Sequence, residues 1–351
     1  MLSYLYLLIG FSIAALTVFT LTPKINRAAL KSGFVDQPDA RKVHQKPMVR
    51  LGGVAIFIGF MLSVVVLWLM GGFAALPPDK TWEMVGLIGG AVAFFGIGLA
   101  DDILNLPPLT RLVMQIVVAT FAWYSGVQID FLTIPGMGLI RLPELLSLPI
   151  TVIWLVGMAN AINWIDGLDG LAAGVSGIAA VSMLVTCLFM KQPAAALLAA
   201  SLAGGSLGFL RYNFNPAQIF MGDGGAYFIG FSLAAIGVTG LVKSVTTVAV
   251  LLPYLILAVP ILDMSAVIFD RLSRGKSPFI ADKSHLHHRL LEAGISHRRT
   301  VIFIYSLTLW VGSLAMAFSG VPSGMAYACA ATGLLAFTGW KIWRIARQPG
   351  A

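Results

Sequence analysis

Eleven apolar runs, each near the ~20 residues a helix needs to cross a bilayer, leave this chain few ways to fold. In hydrocarbon every backbone N–H and C=O must be satisfied internally, so the runs are read as helices. Their approximate cores are residues 2–22, 52–70, 83–100, 110–126, 148–163, 171–190, 194–210, 225–241, 246–268, 301–319 and 324–343, each bounded by charge, proline or glycine. Charged residues make up only 11% of the chain, against roughly 25% in a soluble domain, which excludes an ordinary soluble protein. The expected fold is an all-α polytopic membrane protein, one integral-membrane domain over 1–351, with a small external β-hairpin near 128–142. The first run has no basic leader and no small-residue cleavage site, so it is expected to stay as an anchor. Cys187 and Cys329 both sit in apolar runs and read as free thiols rather than a disulfide.

An odd number of crossings puts the termini on opposite sides, and the basic residues say which is which. Nineteen of the 23 Lys and Arg fall in the connections 23–51 and 269–300, the short turns on the same side and the C-terminal tail. By the positive-inside rule the N-terminus is outside and the C-terminus cytoplasmic. All five histidines and eleven of the fifteen acids then share the cytoplasmic side. Chemistry is expected there, in the loops 23–51, 101–111, 160–170, 211–224 and 269–300. The net charge of +8 suits inward loops facing anionic lipid headgroups and calls for no nucleic acid.

Four polar clusters stand out. In GLADDILNLPPLTR an apolar run ends in Asp101 and Asp102. Adjacent acids at a helix C-terminus meet each other's charge, a low dielectric and the negative end of the helix dipole, so a cation must offset them. In NAINWIDGLDG, Asn160, Asn163, Asp166 and Asp169 recur every third residue and share one side of a helical turn, with Gly167 as a turn residue. Asparagines suit a nucleobase edge and carboxylates suit a ribose hydroxyl or a metal ion. In FNPAQIFMGDGG, Asp223 opens a helix, and Gly224 and Gly225 leave backbone N–H groups open to an anion. In HLHHRLL, His285, His287 and His288 with Arg289 supply donors for phosphate oxygens. Lys46 and Arg50, at the end of the first inner loop, are placed to reach back under the bundle. Together the clusters imply a nucleotide-diphosphate substrate and phosphoryl-type transfer at the inner membrane surface.

The pieces HQKPMVRLGG, ADD, NAINWIDGLDGLAAG, NFNPAQIFMGDGG and HLHHRLL, in that order over 44–291, resemble the polyprenyl-phosphate N-acetylhexosamine-1-phosphate transferases. HLHHRL and the compact length resemble the branch that uses UDP-N-acetylglucosamine to begin O-antigen, common antigen or teichoic acid. The sister branch, which transfers phospho-N-acetylmuramoyl-pentapeptide, is the alternative. The resemblance implies a bacterial plasma-membrane enzyme that joins undecaprenyl or another polyprenyl phosphate to a sugar phosphate and releases UMP. It further implies Mg2+, with Mn2+ as a substitute, and a homodimer. It assigns the lipid phosphate to Asp101 and Asp102, the metal to Asp223 and Asn163, and uridine to the stretch with Asp166, Gly167 and Asp169. Phosphate contacts fall on Arg111, on Lys46 and on the histidine loop, where His285 is the catalytic candidate. Val49 replaces a frequent proline, and Ala226 a usual serine. A secondary transporter with ion-binding acids is the rival class. No internal repeat supports it, and the acids gather at one membrane boundary.

Overall fold

The computed structural model describes residues 4–35, 47–74, 76–134, 138–242, 247–275 and 285–347. Its helices are α1 (Tyr4–Ser32), α2 (Gly52–Leu69), α3 (Pro78–Leu104), α4 (Pro108–Tyr124), α5 (Glu144–Ile165), α6 (Leu171–Phe189) and α7 (Pro193–Asn213), followed by α8 (Gly222–Gly237), with a π-helical turn at Val238–Val242. Then come α9 (Thr247–Ile256), α10 (Ala258–Ser273), α11 (Leu286–Glu292), α12 (His297–Phe318) and α13 (Gly324–Ala346). Strands β1 (Phe131–Ile134) and β2 (Gly138–Arg141) pair antiparallel, Phe131 opposite Arg141, as the small hairpin between α4 and α5.

Eight of these helices are long and apolar enough to cross a bilayer: α1, α2, α3, α5, α6, α7, α8 with its π-helical turn, and α12. The other expected crossings fall on α4, on the α9–α10 pair and on α13. The run 246–268 is therefore not one helix, because it breaks at Leu257. Pro260 accounts for the break. In a continuous helix it would deny the Ile256 carbonyl its donor and press its ring on that carbonyl. With α10 restarting at Ala258, Pro260 sits in a first turn, where N–H groups have no intrahelical partner anyway.

Every residue of α8 except Asp223 is buried. A helix apolar on all sides belongs inside a bundle, and α8 packs against α2, α3, α5, α6 and α7. Glycines bring its neighbours close. A Cβ added to Gly53 would lie 2.3 Å from the Gly225 nitrogen, and one on Gly98 would lie 2.3 Å from the Asp223 carbonyl oxygen. Close small-residue contact of this kind is how helices associate in membranes. Up-and-down packing then gathers one set of helix ends: Gly52 N–H donates to Phe220 O at 2.9 Å, and Gly170 N–H to Asn213 Oδ1 at 3.1 Å. Asn105 turns the chain out of α3 with φ 51°, a left-handed conformation that Asn tolerates. Prolines 107 and 108 then start α4, so Arg111 returns beside the end of α3.

Candidate active site

The two acids at the end of α3 face different partners. Asp101 is buried, its Oδ2 taken by the Arg111 guanidinium and its Oδ1 by the Leu106 N–H at 2.9 Å. Asp102 accepts the N–H of Asp223 on Oδ1 and of Gly224 on Oδ2, both at 2.9 Å. It therefore caps α8 from the neighbouring helix, taking donors that a helix N-terminus leaves free. This corrects the expectation for Gly224, whose N–H is not open to a substrate anion because a carboxylate of the protein already holds it. Gly222 makes the contact sterically feasible. Its φ is +77°, and a Cβ there would stand 1.9 Å from the Arg50 carbonyl oxygen and 2.7 Å from Asp102 Oδ2. Gly225 lies buried against Gly53, where its lack of a side chain serves helix contact rather than a ligand.

Asp223 is where the segments converge. Its Oδ1 accepts from Asn163 Nδ2 at 2.8 Å and lies 3.5 Å from Arg50 Nη2, while Oδ2 is 3.7 Å from Arg111 Nη1. Arg50 Nε is also 4.0 Å from Asp102 Oδ1. Arg50 and Arg111 are thus the cations that the acid pair demands. Arg50 was expected to reach under the bundle but was not placed among the binding residues. Its position immediately before the glycines that lay α2 on α8 is the signal that places it here.

The NAINWIDGLDG stripe divides. Asn163 joins Asp223, but Asn160 donates to Gln115 Oε1 at 2.7 Å and to the Val156 carbonyl, one turn deeper in the bundle. Asp169 braces the α7–α8 connection, its Oδ2 accepting from Asn215 Nδ2 at 2.9 Å and from the Ala217 N–H at 3.0 Å. Asp166, just past α5, is half-buried. Withdrawal from water pushes its carboxyl well above the ordinary range, Arg50 opposes, and Asp223, Asp102 and Asp169 add to the rise. A raised carboxyl pKa means that stability falls as pH climbs above the unfolded value of about 4. Asp166→Asn is therefore expected to stabilise the metal-free protein at neutral pH, and the gain should vanish as the pH falls below about 4. Thermal unfolding across pH checks this, and a variant that melts below wild type at neutral pH contradicts it.

The histidine helix closes the site against α5. Gly167 is opened by His287, since a Cβ there would meet the His287 Nε2 at 2.5 Å. Trp164 meets His285 edge-on at 5.8 Å, and His287 lies between His285 at 5.6 Å and His288 at 4.2 Å, ring centre to ring centre. Burial, with His288 and His285 beside it, holds His287 down to about 3, so it is neutral at pH 7. Its buried Nε2 has no hydrogen-bond partner among the described residues. His285 is buried too, its Nδ1 2.8 Å from Asp263 Oδ2, and Asp263 Oδ1 accepts the Leu286 N–H at 2.7 Å. Asp263 was counted among the inner acids without a role, although an acid inside the apolar run PILDMSAV is itself a functional signal. Arg289 is exposed and lines an apolar pocket of about 290 Å³ with Leu262, Asp263 and Trp310. Lys46 lies outside the described residues.

Asp101, Asp102, Arg111, Asn163 and Asp223 thus come together from α3, α4, α5 and α8, with Arg50 from the segment before α2, while the histidines stand against Trp164 and Gly167 at the end of α5. These charged groups gather at one set of helix ends in a multi-pass helical membrane protein. Residues 84–241 match the model of Glycosyl transferase family 4. The chain is 39% identical over 299 residues to a "Probable undecaprenyl-phosphate N-acetylglucosaminyl 1-phosphate transferase" of Bacillus subtilis, covering 85% of this chain and 81% of that one. It is 37% identical to a decaprenyl-phosphate N-acetylglucosaminephosphotransferase of Mycobacterium tuberculosis, covering 88% and 80%. Against an undecaprenyl-phosphate alpha-N-acetylglucosaminyl 1-phosphate transferase of Pasteurella multocida the identity is 30%, covering 86% and 82%. The chain belongs to glycosyl transferase family 4.

Proposed function

We propose that this protein transfers N-acetylglucosamine-1-phosphate from UDP-N-acetylglucosamine to a polyprenyl phosphate such as undecaprenyl phosphate, releasing UMP, on the cytoplasmic face of a bacterial plasma membrane. The observation that carries the reading is Asp223, in contact with Asn163 and flanked by Arg50 and Arg111. The names of the relatives favour this donor over the muramoyl-pentapeptide donor.

The residues fit a magnesium ion. Asp101, Asp102 and Asp223 outnumber the two guanidiniums among them, and Asp166 adds a further acid nearby. Asn163 turns its Nδ2 to Asp223, leaving its amide oxygen as a hard donor beside the carboxylate. Mg2+ is characteristically held by one or two protein oxygens together with substrate phosphates. Asp223 and Asn163 would hold it, and the bound ion would neutralise charge on the donor's diphosphate.

In the reaction an oxygen of the lipid phosphate attacks the sugar-linked phosphorus, and the bond from that phosphorus to the bridging oxygen breaks as UMP leaves. Arg50 and Arg111, held in place by carboxylates, attract and align the two phosphate groups. The neutral His287 and the neighbouring His288 donate to diphosphate oxygens, while Asp166 and Gly167 flank the uridine. Polyprenyl phosphate is already largely ionised at neutral pH, so positioning and charge neutralisation supply most of the rate. Because both Asp102 oxygens accept backbone N–H groups, direct attack is favoured over an aspartyl-phosphate intermediate on that residue.

In detergent, radiolabelled UDP-N-acetylglucosamine should release UMP only when polyprenyl phosphate and Mg2+ are both present. Chelation should abolish the release, and Mg2+ or Mn2+ should restore it. Release that is indifferent to the lipid, or to chelation, would refute the assignment.

A further inference from the structure

We propose that Asp263 is a positioning residue for the reaction, fixing both the location of the histidine helix and the hydrogen on His285. The inference rests on the function proposed above. Asp263 sits on α10, and its carboxylate spans two groups at the start of α11. One oxygen is 2.8 Å from His285 Nδ1 and the other accepts the Leu286 backbone N–H at 2.7 Å.

Two consequences follow from elementary chemistry. A carboxylate only accepts, so Nδ1 of His285 carries the hydrogen and Nε2 is the nitrogen left for substrate. A carboxylate behind an imidazole also fixes the ring's orientation, as carboxylates do behind metal-ligating histidines. The second bond caps α11, a helix of seven residues, at one of its free N–H groups. Asp263 is itself buried, as are His285 and His287, so the arrangement is shielded from competing water. Trp164, edge-on to His285, limits the ring from the α5 side.

Asp263→Asn separates the two bonds. The amide oxygen still accepts from Leu286, while the amide N–H faces Nδ1 and forces the hydrogen onto Nε2. Expected are a loss in kcat of ~10–100-fold and a donor KM that moves less than about threefold. In an His285→Gln background the same change should cost less than about twofold more, because Asp263 acts through that ring. Histidine resonances of isotopically labelled protein report the same point without any turnover. Nδ1 of His285, assigned by its loss in His285→Gln, should be protonated in wild type and unprotonated in Asp263→Asn. Absent UMP release by the wild type would refute the proposed activity, whereas the resonances test Asp263 regardless. A folded Asp263→Asn with wild-type kcat, multiplicative losses in the double variant, or an unchanged Nδ1 signal would each overturn the proposal. Should Asp263→Asn fail to fold, Asp263→Glu carries the test: retained Nδ1 protonation supports the proposal and its loss overturns it.

Discussion

Asp223→Ala is expected to reduce UMP release by at least about 10²–10³-fold, the scale on which a single preorganised electrostatic group matters at a reacting centre. Asp223 is the one residue of α8 that is not buried, and it touches Asn163, Arg50 and Arg111 at once. Removing it strips the proposed cation of its carboxylate and leaves two guanidiniums without a shared partner. The backbone N–H that Asp102 caps is retained, so the helix start should survive and the loss should be one of function. Equal thermal melting of variant and wild type, with turnover lost, is the expected pair of results. Turnover within tenfold of wild type would remove Asp223 from the centre of the mechanism.

The second large effect separates two glycines on one helix. Gly98→Ala places a methyl 2.3 Å from the Asp223 carbonyl oxygen, with Gly224 Cα also at 2.6 Å. Backbone on both sides leaves nothing soft to move, so α3 and α8 must part. The expected cost is about 3 kcal/mol or more, at the upper end for overpacking, with activity falling alongside because Asp102 and Asp223 separate. Gly96→Ala, two residues earlier, meets nothing within 4 Å. There alanine should be neutral or stabilise by up to about 1 kcal/mol, because glycine costs that much inside a helix. Melting temperature and UMP release for the two variants test the α3–α8 contact directly. Equal effects would mean that α3 and α8 do not meet at Gly98.

How much of this was legible beforehand depended on whether the signal was local. The apolar runs fixed the helices because twenty apolar residues in hydrocarbon have one economical conformation. The break at Leu257 was missed because hydropathy averages over Pro260, whose effect depends on which turn it occupies. Asn163 and Asp223 were brought together by the family resemblance, as residues sharing a metal ion, and they lie in contact. The division of the remaining acids was not anticipated. Asp102 and Asp169 read from sequence as substrate residues, yet each binds backbone N–H groups from segments over forty residues away, at Asp223 and Gly224 and at Ala217. Only packing decides which carboxylate meets an amide and which meets a ligand. Asp263 carried a readable signal, an acid within an apolar run, but its partner His285 lies across a connection whose path the sequence does not specify.

The central claim is that acids, an amide, guanidiniums and imidazoles from six segments surround one nucleotide diphosphate. A structure of the full chain with UDP-N-acetylglucosamine and Mg2+ tests it most directly. The diphosphate should lie between Asp223 and the His285–His288 helix, with the ion on Asp223 and Asn163. A donor bound elsewhere, with Asp223 still paired only to Arg50, Arg111 and Asn163, would contradict the account.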